Sequence, residues 1–326
     1  VNRACFLLLA AVLLGGCGLL GPDEGPGSGV PLVGPPGYGP VPVPAYNPTT
    51  AEGVALGRRL FEDPLLSGDF SVSCASCHHA DRAFTDGLPV SHGVRGQAVL
   101  RNAPSLLDVA YRPRLFWDGG APSLEGQVLA PLEAADEMDA RLDTVLARLT
   151  AHPAYPTLFR EAFGEGPSLR TLTFALAQFE RTLLSGVTPY DRYAAGDSAA
   201  LTPAARRGLA LFRRSGCPTC HPAPTFTTGG FEDNGLARVP ADSGRGRITG
   251  QHADAYRFRV PSLRGVAQTA PYMHDGRLPT LEAVVSHYSR GGEGTDGQSP
   301  HVRPLALTDD ERADLAAFLQ SLSTQQ

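Results

Sequence analysis

Apolar residues along this 326-residue chain fall at helical spacing, in short stripes parted by long polar loops. Thr50 stands as a cap before Ala51, and the spacing predicts a helix from there through Phe61, stopped ahead of Pro64. Thr202 followed by Pro203 opens a second helix, Ala204 to Phe212, because a proline loses nothing in a first helical turn. Leu142, Val145, Leu146 and Leu149 share one face, and Leu172, Leu176, Phe179 and Leu183 share another that Gly186 ends. Thr308 and Glu311 form a capping box ahead of Leu315, Phe318, Leu319 and Leu322. From Thr280, a further helix carries Leu281, Val284, Val285 and Tyr288 at i, i+3, i+4 and i+7. His287 sits about 100° round from Tyr288, so Tyr288 is the one expected to face inward. No run of alternating residues predicts a sheet. The fold class is mainly α.

The pattern repeats. Gly57, Leu60 and Phe61 recur as Gly208, Leu211 and Phe212, and each helix leads into Cys-x-x-Cys-His. The first copy is Cys74, Cys77 and His78; the second is Cys217, Cys220 and His221. Two thiols in one turn can add across the vinyl groups of a porphyrin, and the adjoining histidine can ligate its iron, which is the attachment pattern of haem c. A zinc site would want four ligands per metal, and a thioredoxin-like pair has no use for the trailing histidine. The chain therefore reads as two cytochrome c-like haem domains with long loops, related by duplication, the first with a longer loop before its motif. The polar stretch 186–200 marks their junction, giving 48–195 for the N-terminal domain and 196–326 for the C-terminal one.

Composition narrows the setting. Hydrophobic residues make up 42% and charged residues 19%, with net charge −5, which suits a globular protein and gives no case for nucleic acid. All 28 basic residues are arginine, which reads as codon bias. Four of the six cysteines belong to the haem motifs, and Cys5 and Cys17 lie near the N-terminus. Arg3 precedes an apolar run too short to span a bilayer, ending in Leu14-Gly15-Gly16-Cys17. That reads as a lipoprotein signal over 1–17, with Cys17 lipidated. Residues 18–47 are dense in Gly and Pro and read as a tether. Haem c is attached outside the cytoplasm, so the expected location is the bacterial cell envelope, on the periplasmic side, lipid-anchored to a membrane.

Longer motifs surround the haem pentapeptides: Arg101-Asn102-Ala103-Pro104-Ser105, Phe116-Trp117-Asp118-Gly119, Leu124-Glu125-Gly126-Gln127 and Glu137-Met138, then Pro261-Ser262-Leu263-Arg264 and Thr269-Ala270-Pro271-Tyr272-Met273-His274-Asp275-Gly276. In order and spacing these resemble the bacterial dihaem cytochrome c peroxidases, the family that includes MauG, from about Thr50 to the C-terminus. The resemblance implies that the haem on His78 reacts with peroxide and the haem on His221 exchanges electrons. It places Trp117 between the rings and Gln127 and Glu137 in the distal pocket. It puts a calcium ion on Asn102 and the backbone carbonyls of Thr269 and Pro271. Chemistry agrees for Glu137, since O–O cleavage needs a proton moved from one oxygen to the other. Without the resemblance, Glu137 reads as a helix-start acid, Gln127 as a surface amide and Trp117 as a core aromatic.

Two positions depart from the family pattern. Aligned on Ser91 and Gly93, the displaceable distal histidine of many members is replaced by Val94, which implies an open first iron; His92, two residues away, is the other candidate. The methionine that many members use on the second haem is replaced by Tyr288, with Met273 as the alternative. A phenolate would favour ferric and higher states where a thioether favours ferrous iron.

Three functions compete. The first is reduction of hydrogen peroxide to water with electrons from a small c-type cytochrome or copper protein. The second is MauG-like oxidation of a protein or organic partner through a high-valent dihaem state. The third is electron transfer without catalysis. The family resemblance also implies a homodimer as one oligomeric form.

Overall fold

One crossing is built twice. The computed structural model describes residues 29–324, so Cys5, Cys17, the signal and residues 18–28 of the tether lie outside the described residues. In the first half, α1 (Ala51–Glu62) packs across α6 (Leu169–Glu180); in the second, α8 (Pro203–Arg214) packs across α11 (Asp309–Gln320). Thr50 and Thr202 cap α1 and α8 as the sequence predicts, accepting from Gly53 N–H and Ala205 N–H. Between them come the short α2 (Leu124–Gln127) and α3 (Leu129–Glu133), then α4 (Leu142–Ala151), α5 (Tyr155–Phe163) and α7 (Pro189–Ala194). The second half adds α9 (Gly246–Thr249) and α10 (Leu281–Arg290).

The repeated glycine sets the crossing. A Cβ on Gly57 would stand 2.0 Å from the carbonyl oxygen of Ala175, and one on Gly208 would stand 1.9 Å from that of Asp314. Each absent side chain lets two helix backbones touch, and the residues that follow seal the contact. Leu60 and Phe61, like Leu211 and Phe212, are buried, and Phe61 meets Phe179 at 5.1 Å as Phe212 meets Phe318 at 5.0 Å. Glycine ordinarily costs a helix about 1 kcal/mol relative to alanine. Here alanine must push the helices apart, so Gly208→Ala is expected to destabilise the fold by about 1–3 kcal/mol. A lowered thermal unfolding midpoint of the haem-loaded protein checks this.

Three features differ from the sequence expectation. The stretch read as a tether through residue 47 makes specific contacts with the rest of the chain from residue 30 onward. Val30 N–H donates to the Thr49 carbonyl at 2.9 Å, Tyr38 meets Tyr111 edge-on at 4.7 Å, and buried Asn47 donates to Glu125 at 2.7 Å and accepts from Gln178 at 2.8 Å. Proline-rich backbone forms no helix, yet its extended form can lie along a surface when tyrosine and asparagine side chains supply the contacts. Tyr38 also lies beneath the Arg264 guanidinium, 5.5 Å from its ring centre, so the strap reaches both halves. The junction at 186–200 holds α7, whose Asp191 closes a capping box with Thr188 and pairs with Arg264 at 2.6 Å. Finally, β1 (Phe231–Glu232) and β2 (Phe258–Arg259) form one short antiparallel pair, with Phe231 opposite Arg259.

Candidate active site

The two Cys-x-x-Cys-His segments fold alike. Each opens a single 3₁₀ turn, Cys74–Ser76 or Cys217–Thr219, and His78 N–H and His221 N–H donate back to the carbonyls of Cys74 and Cys217. His78 Nδ1 lies 2.8 Å from the Phe84 carbonyl and His221 Nδ1 lies 2.9 Å from the Phe226 carbonyl. A carbonyl only accepts, so Nδ1 carries the proton and Nε2 presents its lone pair. Phe84 and Phe226 hold the left-handed backbone conformation, at φ 60° and 51°, uncommon for a bulky residue and matched between the halves. Burial lowers the pKa of both histidines, which keeps them neutral and able to ligate. Burial also pushes the Cys74 thiol up to about 12 and Cys77 and Cys217 up to about 11. Among the described residues no three His, Cys, Asp or Glu side chains converge as a metal-binding group.

A cavity of about 260 Å³ opens beside the second motif. Cys217, Cys220 and His221 line it, and so do Tyr288 and Met273. Val284, Val285 and Leu281 line it from α10 as well, whereas His287 is buried with Nε2 2.9 Å from the Asn234 carbonyl. Burial pushes the Tyr288 hydroxyl up to about 12, with the Asn234 side chain acting the other way through a hydrogen bond. Asn234 Nδ2 also donates to Met273 Sδ at 3.3 Å. One asparagine, which no sequence pattern singles out, thus touches both candidate ligands and fixes the helix beside them.

The same cavity reaches the domain interface, where Trp117, Asn102, Thr269 and Pro271 line it. Trp117 Nε1–H donates to the Asn102 carbonyl at 2.9 Å, which fixes the indole. Asn102 Nδ2 donates to the Leu88 carbonyl at 2.8 Å, leaving Oδ1 as its free acceptor. Beside them Arg101 binds Asp118 at 2.7 Å and Asp242 at 2.6 Å, while Arg247 binds Asp118 at 2.6 Å, so ion pairs tie the halves together.

Glu137 belongs to the first motif. It lies in the turn after α3, half-buried, and its charge bears on both Cys74 and Cys77. Burial, with the neighbouring Asp136 charge, pushes its carboxyl up to about 7. The turn is gripped from two sides. Gly68 N–H donates to the Met138 carbonyl at 2.7 Å, and Val94 N–H donates to the Glu137 carbonyl at 2.8 Å. Gly93 packs so closely that a Cβ there would stand 2.2 Å from the Asp136 carbonyl. Val94 is buried and His92 is exposed. Gln127 ends α2, half-buried, on the helical unit that leads to Glu137. Glu180, at the end of α6, is a buried acid that sequence reasoning missed: burial pushes it up to about 8, and one of its oxygens has no hydrogen-bond partner.

The family model described as Di-haem cytochrome c peroxidase matches residues 51–199, and that described as Cytochrome c matches residues 205–323. The methylamine utilization protein MauG of Methylorubrum extorquens is 45% identical over 290 residues, covering 87% of this chain and 82% of that protein. The chain belongs to the dihaem cytochrome c peroxidase and MauG family. Membership brings two haem c groups and makes the chain an oxidoreductase. Another family relative, the cytochrome-c peroxidase IdrP1 of Denitromonas iodatirespirans, is 38% identical, covering 87% of this chain and 85% of its own. Among solved members, a MauG-like protein associated with microbial copper homeostasis superposes with TM-score 0.82 at 37% identity, covering 89% of this chain and 95% of its own. The family's two named activities are thus both represented among close relatives. Among the described residues no helix is long and apolar enough to cross a membrane.

Proposed function

We propose that this protein reduces hydrogen peroxide to water at the haem attached through Cys74, Cys77 and His78. Cys217, Cys220 and His221 would hold the second haem, which would supply electrons drawn from a small c-type cytochrome or copper protein. The observation that carries this reading is Glu137: a half-buried acid poised near neutrality, held against a loop that offers buried Val94 and keeps His92 outside. The overall change is one peroxide, two electrons and two protons to two waters. Haem iron, when bound, supplies the electrophilic centre and the exchangeable electrons. Glu137 in its carboxylate form takes the proton from one peroxide oxygen and returns it to the departing one. Gln127 orients the peroxide through its amide. Trp117, with its indole N–H fixed on Asn102, couples the two cofactors. The Asn102 Oδ1 and the Thr269 and Pro271 carbonyls suit a hard cation, and calcium is the ion proposed there. The proposed setting is the periplasmic side of the envelope, with Cys17 as the lipid anchor and a homodimer as one assembled form.

A second reading is favoured by Tyr288. A phenol facing the second cofactor cavity, together with 45% identity to a MauG, supports oxidation of a protein or organic partner. Both readings predict that the ferric protein reacts with one equivalent of peroxide without prior reduction, seen as an immediate spectral change. Consumption of a reduced small cytochrome then separates them. A low-spin spectrum for both haems that peroxide leaves unaltered, even after half-reduction, would reduce the protein to an electron carrier.

A further inference from the structure

Two arginines line the interdomain cavity. Arg259 is 3% exposed, and half-buried Arg112 stands in the wall of the same cavity. Among the described residues neither forms an ion pair, although Arg264 close by is fully engaged with Asp191. Arg259 donates from Nε to the Phe116 carbonyl at 3.1 Å, and its backbone N–H donates to the Trp117 carbonyl at 2.7 Å. Its guanidinium carbon stands 5.9 Å from the Trp117 ring centre. Arg112 donates from Nη2 to the Leu107 carbonyl at 2.7 Å. The remaining donors of both side chains have no protein acceptor at hydrogen-bonding distance among the described residues. Burial pulls Arg259 down to about 9, with the Arg112 charge adding to the cost, and burial pulls Arg112 down to about 10 despite the attraction of Asp108. Asp108 and Glu180 bear on Arg112, but among the described residues no protein anion bears on Arg259, whose buried charge needs a counter-charge.

We propose that Arg259, with Arg112 behind it, forms a carboxylate cradle for the propionate side chains of the porphyrin held at His221. The inference rests on haem occupying this cavity, as proposed above. Guanidinium forks match carboxylates in shape and charge, and both residues line the cavity that Cys217 and Cys220 also line. Glu232 lines the same cavity, but it stands opposite Phe258 on the strand pair while Arg259 stands opposite Phe231, and the two form no ion pair. The cradle also binds the second half to the backbone of the first at Phe116 and Trp117. Arg259 is therefore a positioning residue for cofactor and indole together.

The test uses the holoprotein with both haems attached and reads the midpoint potential of each haem across a pH series. Ferric haem carries one more positive charge than ferrous haem, so a guanidinium at its propionates disfavours the ferric state. Arg259→Leu is expected to lower the potential of the second haem and to make it pH-dependent, as an unpartnered propionate begins to take up a proton. Arg259→Lys is expected to restore much of the potential. Wild-type potential and pH dependence in Arg259→Leu would overturn the proposal, and so would a shift in both haems that Lys does not relieve, the mark of a loosened interface. Should the leucine variant fail to fold, resonance Raman spectra of the wild-type holoprotein decide: propionate bending bands shift in deuterated water if guanidinium N–H groups hold the carboxylates, and unmoved bands overturn the proposal. None of these readouts needs turnover, so a protein inert to peroxide would still report on the cradle.

Discussion

Glu137→Gln is expected to slow the reaction of the ferric protein with peroxide by about 10²–10⁴-fold, the usual contribution of a positioned acid–base group. The amide keeps the shape of the side chain and the backbone grip from Val94 and Gly68, so folding and haem content should be retained. What is lost is a site that can accept a proton and give it back. The pH dependence sharpens the test. Burial and the Asp136 charge raise this carboxyl to about 7, and the base form is the one that starts the reaction. Second-order rates for peroxide should therefore climb as pH rises through about 7 in the native protein and lose that climb in the variant. Equal rates and equal profiles for the two proteins would remove Glu137 from the mechanism.

Tyr288→Met is expected to raise the potential of the second haem, on the order of 0.1 V within the ~0.8 V that axial ligands span. A thioether stabilises ferrous iron, whereas a phenolate stabilises the ferric and higher states. Potentiometric titration reads the shift directly, and the ferric absorption spectrum reports the change of ligand. Use of a small cytochrome as donor should improve in the variant, while oxidation of a larger partner should decline. The native protein has a second sulfur within the same cavity, Met273, and Asn234 holds it by a hydrogen bond at 3.3 Å. An unchanged potential and spectrum in Tyr288→Met would hand ligation to Met273 or leave the iron without a sixth ligand.

Much of this scaffold is legible from local chemistry. Thr50, Thr202, Thr280 and Thr308 announce helices because a hydroxyl at the cap satisfies an otherwise orphaned N–H, and that requirement is met within four residues. The paired pentapeptides are equally local, since one turn holds all three attachment groups. The family resemblance puts Tyr288 in place of the second haem's methionine, and helix phase, which needs no knowledge of neighbours, turns it inward. The strap across residues 30–47 was not legible, because composition records proline and glycine but not the surface on which Tyr38 and Asn47 settle. Helix α5, with Pro156 in its first turn, escaped notice too. Asn234, Glu180, Arg112 and Arg259 act through partners as far as 143 residues away, and single letters in polar loops carry no sign of that. The acids and arginines that join the halves, Arg101, Asp118, Asp242 and Arg247, became visible only once both loops stood side by side.

The glycine crossings and the phenylalanine carbonyls behind the histidines make each half a self-sufficient seat for one cofactor. What distinguishes the halves lies outside that seat: an acid and a valine in loops of the first half, a phenol on α10 and an asparagine beside it in the second. After the ancestral copying, specialisation thus needs substitutions at a few positions while the two glycine crossings stay put. An engineer wishing to exchange the two roles would work on those same positions.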